Sequence, residues 1–323
     1  MKMLPTLTAL LLSVFIGSEA QAQAAKWPIQ PIKIIVSFAP GGAADQLARI
    51  MAPHLSQALG QPVVVENKVG AGGNIGADQV AKSTPDGYTL LLGSGGIFSI
   101  NPHLYKPMPF DPAKDLVPVA TVARVPQYLV VRADSGINDF TKFVADLKAN
   151  PGKRSYGTPG IGTSGHLASE MMLADLGAKA AHIPYKGGVP ALTDLLGGQL
   201  DFMFDSGAAL QHVKSGKLRL VGVGSSARAP LLPDAPTLEE LGLKGFNADT
   251  VFGLYAPAKA PQAVVTRINA AVNQILANGP AKDQILASGQ IPLFQTLEQF
   301  SRGTAADFQR YGAAILASNI SAQ

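Results

Sequence analysis

Ile32-Lys33-Ile34-Ile35-Val36-Ser37-Phe38-Ala39-Pro40-Gly41-Gly42-Ala43-Ala44-Asp45 is the stretch that decides the fold. The apolar run Ile32–Phe38 predicts a buried strand, and the proline and glycines that follow predict a tight loop. Leu47, Ile50, Met51, Leu55 and Leu59 then recur at helical spacing, within a helix expected over Ala44–Leu59 that stops at Gly60. This unit of strand, glycine loop and helix recurs. The strand Val63–Glu66 leads into Val69-Gly70-Ala71-Gly72-Gly73-Asn74 and a short helix Ala77–Lys82, and Tyr88–Leu92 leads into Gly93-Ser94-Gly95-Gly96. Ser155–Gly157 leads into Thr158-Pro159-Gly160-Ile161-Gly162-Thr163-Ser164-Gly165-His166 and a helix Gly165–Leu176.

Between and beyond these units, Val119–Ala123 and Leu129–Val131 read as an extended pair and Phe140–Ala149 as a helix. The alternation continues through Ala181–Ile183, Val189–Leu196, Leu200–Phe204, Ala208–Lys214 and Leu218–Val223. A late strand, Val251–Tyr255, precedes amphipathic helices at Val264–Ala277, Ala281–Ser288 and Leu297–Ser318. Strands alternating with helices predict an α/β protein with largely parallel sheets. The expected organisation is a leader over residues 1–24, a first domain of 26–124 plus 226–323, and a second of 125–225. Two crossings between the domains would let them hinge around a cleft, a preferred place for a ligand.

The leader is read from Lys2, the apolar run Leu7–Ile16 and the small-x-small sites near Ala22–Ala25, a pattern of export. The run is too short to cross a bilayer, which takes about 20 residues. The expected product is an exported, soluble protein. With 323 residues, 47% of them hydrophobic, the chain can bury a sizeable core. It has no cysteine, which removes thiol catalysis, disulfides and thiolate metal sites. A net charge of +4 without basic clusters gives no nucleic-acid footprint.

Glycine allows close backbone approach, and a helix that follows offers free N–H groups and a partial positive charge. Such loops make anion sites that need no lysine or arginine. Gly160, Gly162 and Gly165 spell G-x-G-x-x-G, but the acidic residue a dinucleotide site needs about 20 positions on is missing from Ala180–Tyr185. No cofactor is expected. Thr158, Thr163 and Ser164 cluster hydroxyls at a helix start, where they either meet a carboxylate or merely cap the helix. The five histidines, His166 among them, lack metal-binding spacing, so no metal is expected. Ser164 and His166 are too close in sequence to face each other as a nucleophile–base pair. Asp45 sits in the first turn of its helix, where it suits the dipole or ties the glycine loop from within. Asp205 ends a strand toward the cleft, as a ligand contact or as a turn residue.

The chain resembles the Bug-type periplasmic solute-binding proteins of the tripartite tricarboxylate transporter group. The resemblance runs from Pro31 to Ile320. It rests on Phe38-Ala-Pro-Gly-Gly42 with Asp45, Leu59-Gly-Gln-Pro-Val-Val-Val-Glu-Asn67, Gly70-Ala-Gly-Gly-Asn-Ile-Gly-Ala77 and Pro85-Asp-Gly-Tyr-Thr-Leu-Leu91. It continues through Tyr156-Gly-Thr158, Gly162-Thr-Ser-Gly-His-Leu167, Ile183-Pro-Tyr-Lys-Gly-Gly188, Asp194-Leu-Leu-Gly-Gly-Gln199 and Leu232-Pro-Asp-Ala-Pro-Thr237. The resemblance implies a two-lobed Venus-flytrap fold, type II-like, with two mixed sheets flanked by helices. It implies a ligand carboxylate gripped between the loop of Pro40, Gly41, Gly42, Ala43 and Asp45 and the loop of Thr158, Gly160, Gly162, Thr163, Ser164 and His166. Ser94 and Gly95 after the third strand, and Asp205, would face the rest of the ligand. Where such proteins often carry Trp-Phe/Tyr-Gly, this chain has Val251-Phe252-Gly253, and Trp27 lies too far off to substitute. Phe38, Ile97 and Phe98 are expected as apolar walls. The expected role is a monomeric receptor for a small aliphatic or aromatic carboxylate, delivered to membrane transporter subunits. Two alternatives stand beside it: a sensor protein as the partner, or an exported enzyme using Asp45, His166 or Asp205 as acid–base groups.

Overall fold

The computed structural model describes residues 27–277, 279–317 and 320–321. The expected leader lies outside the described residues, as does Ser318 at the end of the last expected helix. In chain order the strands are β1 (Ile32–Val36), β2 (Val63–Asn67), β3 (Thr89–Ser94), β4 (Leu116–Val125), β5 (Tyr128–Arg132), β6 (Ser155–Thr158), β7 (Ala181–Pro184), β8 (Phe202–Asp205), β9 (Leu218–Val223), β10 (Thr250–Pro257) and β11 (Ile291–Pro292). They form a 6-stranded sheet of order β11-β4-β10-β3-β1-β2 and a 5-stranded sheet of order β7-β6-β8-β5-β9.

Both sheets are mixed, which corrects the expectation of largely parallel ones. β1 pairs in parallel with β2 and β3, and β6 with β7 and β8. β4, β10 and β11, and β5 against β8 and β9, pair antiparallel. The reason is the double crossing. The chain leaves the first sheet after β4, enters the second at β5 and returns through β10, so each sheet acquires one outgoing and one incoming strand side by side. The expected pairing of 119–123 with 129–131 is absent for the same reason, since β4 and β5 belong to different sheets.

The helices are α1 (Ala43–Leu59), α2 (Asn74–Ala81), α3 (Gly96–Ser99), α4 (Asn101–Leu104), α5 (Pro112–Asp115), α6 (Phe140–Ala149), α7 (Ser164–Leu176), α8 (Gly188–Leu196), α9 (Leu210–Lys214), α10 (Gln262–Ala277), α11 (Pro280–Ala287) and α12 (Leu297–Ala317). Gly60 ends α1 in the left-handed conformation at φ 75°, which glycine reaches without strain. The continuous hydrophobic run of β1 is explained by burial on both faces. Ile34 and Val36 pack under α1 and α10, while Ile35 meets Val80 of α2 and Phe300 of α12. The second sheet is covered likewise, Phe202 and Phe204 facing α6 and α7 and Met203 facing α8. The stretch placed with the first domain from residue 226 packs on the second sheet instead. Leu238, Leu243, Phe246 and Ala248 join that core, and Val223 bridges Thr237. Trp27 is buried at the far edge of the first lobe, against Tyr88 and under the Arg267 guanidinium.

Candidate functional site

The lobes meet around a cavity of about 40 Å3 at the carboxyl ends of β1, β3, β6 and β8. Three helices aim their N-termini at it. Gly42, Ala43 and Ala44 of α1, Thr163 and Ser164 of α7, and Gly188 of α8 line the cavity. None of the three helices has a side chain capping its first turn. Their leading N–H groups are therefore left for something other than the protein, and each terminus carries about half a positive charge. Thr163 sits at the cap position of α7, but its hydroxyl donates back to the Gly160 carbonyl at 2.7 Å. Its one O–H thus caps nothing and is spent within its own loop.

Of the residues expected at the site, Phe38, Gly42, Ala43, Ser94, Thr163, Ser164 and Asp205 line this cavity. The others stand around it. Pro40 and Gly41 are exposed on the rim. Asp45 is buried behind its loop: one carboxylate oxygen accepts from the Gly41 N–H and from Arg49, both at 2.9 Å, and the other from Asn67 at 2.9 Å. Burial raises its pKa, but the hydrogen bonds from Arg49, Gly41 and Asn67 outweigh that and hold the carboxyl below its ordinary range. Asp45 thus ties the loop from within. Gly95 gives its N–H to the Val251 carbonyl at 2.7 Å and does not line the cavity.

Thr158 and His166 lie behind the second loop. The Thr158 hydroxyl is 2.6 Å from His182 Nε2, and the Gly162 N–H points to His166 Nδ1 at 3.4 Å. His166 stacks on His182 with ring centroids 4.3 Å apart. That ring buttresses the loop and leaves no serine–histidine pair. Gly160 lines a neighbouring chamber, and Gly162 packs across the cleft against Asn101. Sequence reasoning missed Ala44, Pro159, Gly188, Ser206, Ala208 and Phe252, which complete the lining. Phe252 had a signal, since it lies in the Val251-Phe252-Gly253 departure. It, not Ile97 or Phe98, is the second aromatic wall; those two belong to a core in which Phe98 stacks on Tyr255 at 3.8 Å.

Asp205 is the one titratable residue lining the cavity among the described residues. Burial raises its pKa against the opposing N–H bonds of Ala209 at 2.8 Å and Gly207 at 2.7 Å. With no Lys, Arg or His in the lining, the cavity presents backbone amides and hydroxyls at one end and an acceptor at the other.

The histidine pair gives a pH prediction. Burial, reinforced for His166 by His182, pushes the two rings down to about 3 and about 4 from an ordinary 6.5. The unfolded chain takes up protons below about pH 6.5 that the folded one refuses until pH 3–4. Their contribution to stability is thus complete above 6.5 and is lost as pH falls toward those values. Each ring can cost up to about 1.4 kcal/mol per pH unit in that window. Urea unfolding of the native protein and of His182→Gln should converge by about that slope between pH 6.5 and 4.5. Parallel curves would contradict the burial argument.

The chain is similar to known proteins over most of its length. The sequence profile of the family described as tripartite tricarboxylate transporter family receptor matches residues 47–320. The chain is 37% identical to Protein BugT of Bordetella pertussis over 302 residues, which covers 93% of this chain and 92% of that protein. Among solved structures it is similar to Rpa4515 of R. palustris with adipate, with a TM-score of 0.89, 31% identity, and 92% and 99% of the two chains covered. It is also similar to MatC (Rpa3494) of Rhodopseudomonas palustris with bound malate, with a TM-score of 0.85, 29% identity, and 90% and 100% covered.

Proposed function

Since the chain belongs to the tripartite tricarboxylate transporter family of receptors, we propose that it is a periplasmic solute-binding receptor that captures a small organic carboxylate and hands it to membrane transporter subunits. The observation that carries this reading is the meeting of three uncapped helix N-termini, from two lobes, on a cavity lined by no basic side chain. A carboxylate placed there accepts N–H bonds from both lobes at once, so binding and closure are one event. Hydrogen bonds to a charged group are worth about 1.5–3 kcal/mol each, and micromolar affinity needs about 8 kcal/mol net. Four such bonds at about 3 kcal/mol, or five at about 2.5 kcal/mol, reach that after ordering costs of about 4 kcal/mol. The crossings at residues 126–127 and at residue 249, just before β10, are the hinge, and residues 1–24 are the export leader.

The protein binds without turning its ligand over. Asp45 and His166 are both committed to holding loops and do not line the cavity, and Asp205, which does, is held by the N–H groups of Gly207 and Ala209. That Rpa4515 was solved with adipate and MatC with malate supports acids as the ligand class. A thermal-shift screen of mono- and dicarboxylates, aromatic acids and neutral amides tests the reading. At a hundredfold excess over Kd an acid should add about 2.7 kcal/mol, several degrees of midpoint, and the matching amide nothing. Stabilisation by the amides as well as the acids would overturn it.

A further inference from the structure

Away from the ligand cavity the lobes meet a second time. Leu167 and Met171 stand one and two turns into α7, four residues apart and so on one face of the helix. They share an apolar cluster with Ile100, just before α4, and with Tyr311, Ile315 and Ile320 at and beyond the end of α12. The Ile320 N–H donates to the Ile315 carbonyl at 3.0 Å, which folds the chain back onto the helix. Met171 packs on the second lobe's core as well, so the cluster is continuous with that core. Both α12 and α4 belong to the first lobe. Phe300 of α12 packs on Tyr255 of β10 with ring centroids 5.1 Å apart, and the His103 ring of α4 lies 4.2 Å from that of Phe308. Beside the cluster, the Tyr105 hydroxyl donates across the cleft to the Ile161 carbonyl at 2.9 Å.

None of these residues lines the ligand cavity. The seam and the cavity nevertheless share α7, whose first residue, Ser164, does line it. One helix therefore docks at both places in the same movement. Apolar burial and a hydrogen bond between the lobes favour the closed arrangement whatever the cavity holds. The ligand then has to supply only the remainder, and apparent affinity scales with the share of molecules already closed.

We infer that the seam of α7 against α4 and α12, with the Tyr105–Ile161 hydrogen bond, is a latch that closes the two lobes on its own account. Ligand-free molecules spend a share of their time closed because of it. The latch raises affinity for every ligand by the same factor and selects none, so the inference is independent of the ligand class proposed above.

Spin-label distance measurements on ligand-free protein test this. The chain has no cysteine, so nitroxides on Ile75→Cys and Ile183→Cys report from those two sites alone. Both residues are exposed, and they flank the Gly70–Gly73 and Pro184 stretches that line one chamber at the cleft mouth. The labelled but otherwise native protein should show a short-distance, closed population beside a long-distance, open one. Tyr105→Phe should lower the closed-to-open ratio about fivefold, the effect of one ordinary hydrogen bond. Met171→Gln, which keeps the side chain's length and loses its apolar end, should lower it at least as far. Leu316→Gln, on the same α12 but 79% exposed, should leave the ratio unchanged. Absence of a closed population from the ligand-free protein, a ratio that neither Tyr105→Phe nor Met171→Gln moves, or an equal fall in Leu316→Gln would overturn the latch and leave the carboxylate reading standing.

Discussion

Replacing Ala43 with proline should weaken ligand binding by roughly ten- to hundredfold and leave the unfolding midpoint unchanged or slightly raised. Ala43 is the first residue of α1, and Gly42 before it is extended, at ψ 173°. That is the one helical position where proline fits without breaking a backbone bond, and an extended preceding residue is what proline requires. The substitution thus removes a single N–H from the mouth of the cavity and costs the folded helix nothing. If main-chain amides hold the carboxylate, losing one costs about 1.5–3 kcal/mol of binding. Ser164→Pro makes the same deletion on the opposite lobe, where Thr163 is extended at ψ 161°. The two single variants should each lose affinity and keep native circular dichroism. Undiminished affinity in both would mean that the anion is held elsewhere.

Gly162→Ala should weaken binding about a hundredfold, and the cause should be closure alone. Gly162 has φ +78°, and a Cβ there would run into the Asn101 side chain of the other lobe. Asn101 cannot yield, because it is fully buried and its amide donates to Asn74 at 2.7 Å and to the Gly72 carbonyl at 3.1 Å. The left-handed backbone itself costs alanine about 1–2 kcal/mol, but it does so with the lobes apart or together and cancels from binding. The clash exists only when they meet. Gly216→Ala is the matched control, with φ +74° and nothing within 4 Å. Both variants should lose similar stability without ligand, and only Gly162→Ala should lose affinity, read by calorimetry. Small-angle scattering should show that this variant stays open at ligand concentrations that compact the native protein. Equal affinity of the two variants would show that Gly162 does not limit closure.

How far the sequence carried the fold and the site follows from how local each feature is. The strands and helices were legible because hydrophobic period, glycine stops and loop prolines act within a few residues. β1, α1 and Gly60 were read almost to the residue from such signals. The strand directions were not. Whether β10 runs parallel or antiparallel to β3 depends on how the chain returns from the other lobe, through the non-regular path 224–249 after β9. The ordered motifs marked the loops that meet at the cavity, but not which side chains in them face it. Asp45, Thr158 and His166 sit in those loops and turn away, because Asn67 and His182, from elsewhere in the fold, claim the first two and the Gly162 N–H of the same loop claims the third.

The sequence alone therefore determined an α/β chain built from strand, glycine loop and helix units, with glycine-rich helix starts suited to an anion and no thiol chemistry. Those properties reside in short stretches and survive any arrangement of the rest. Only the tertiary structure decided that three such starts converge on one small cavity, that Phe252 rather than Ile97 or Phe98 walls it, and that Asp45 and His166 stand behind it. Those are meetings of residues far apart in the chain, and their geometry is set by the packing of two lobes against each other, which no local pattern encodes.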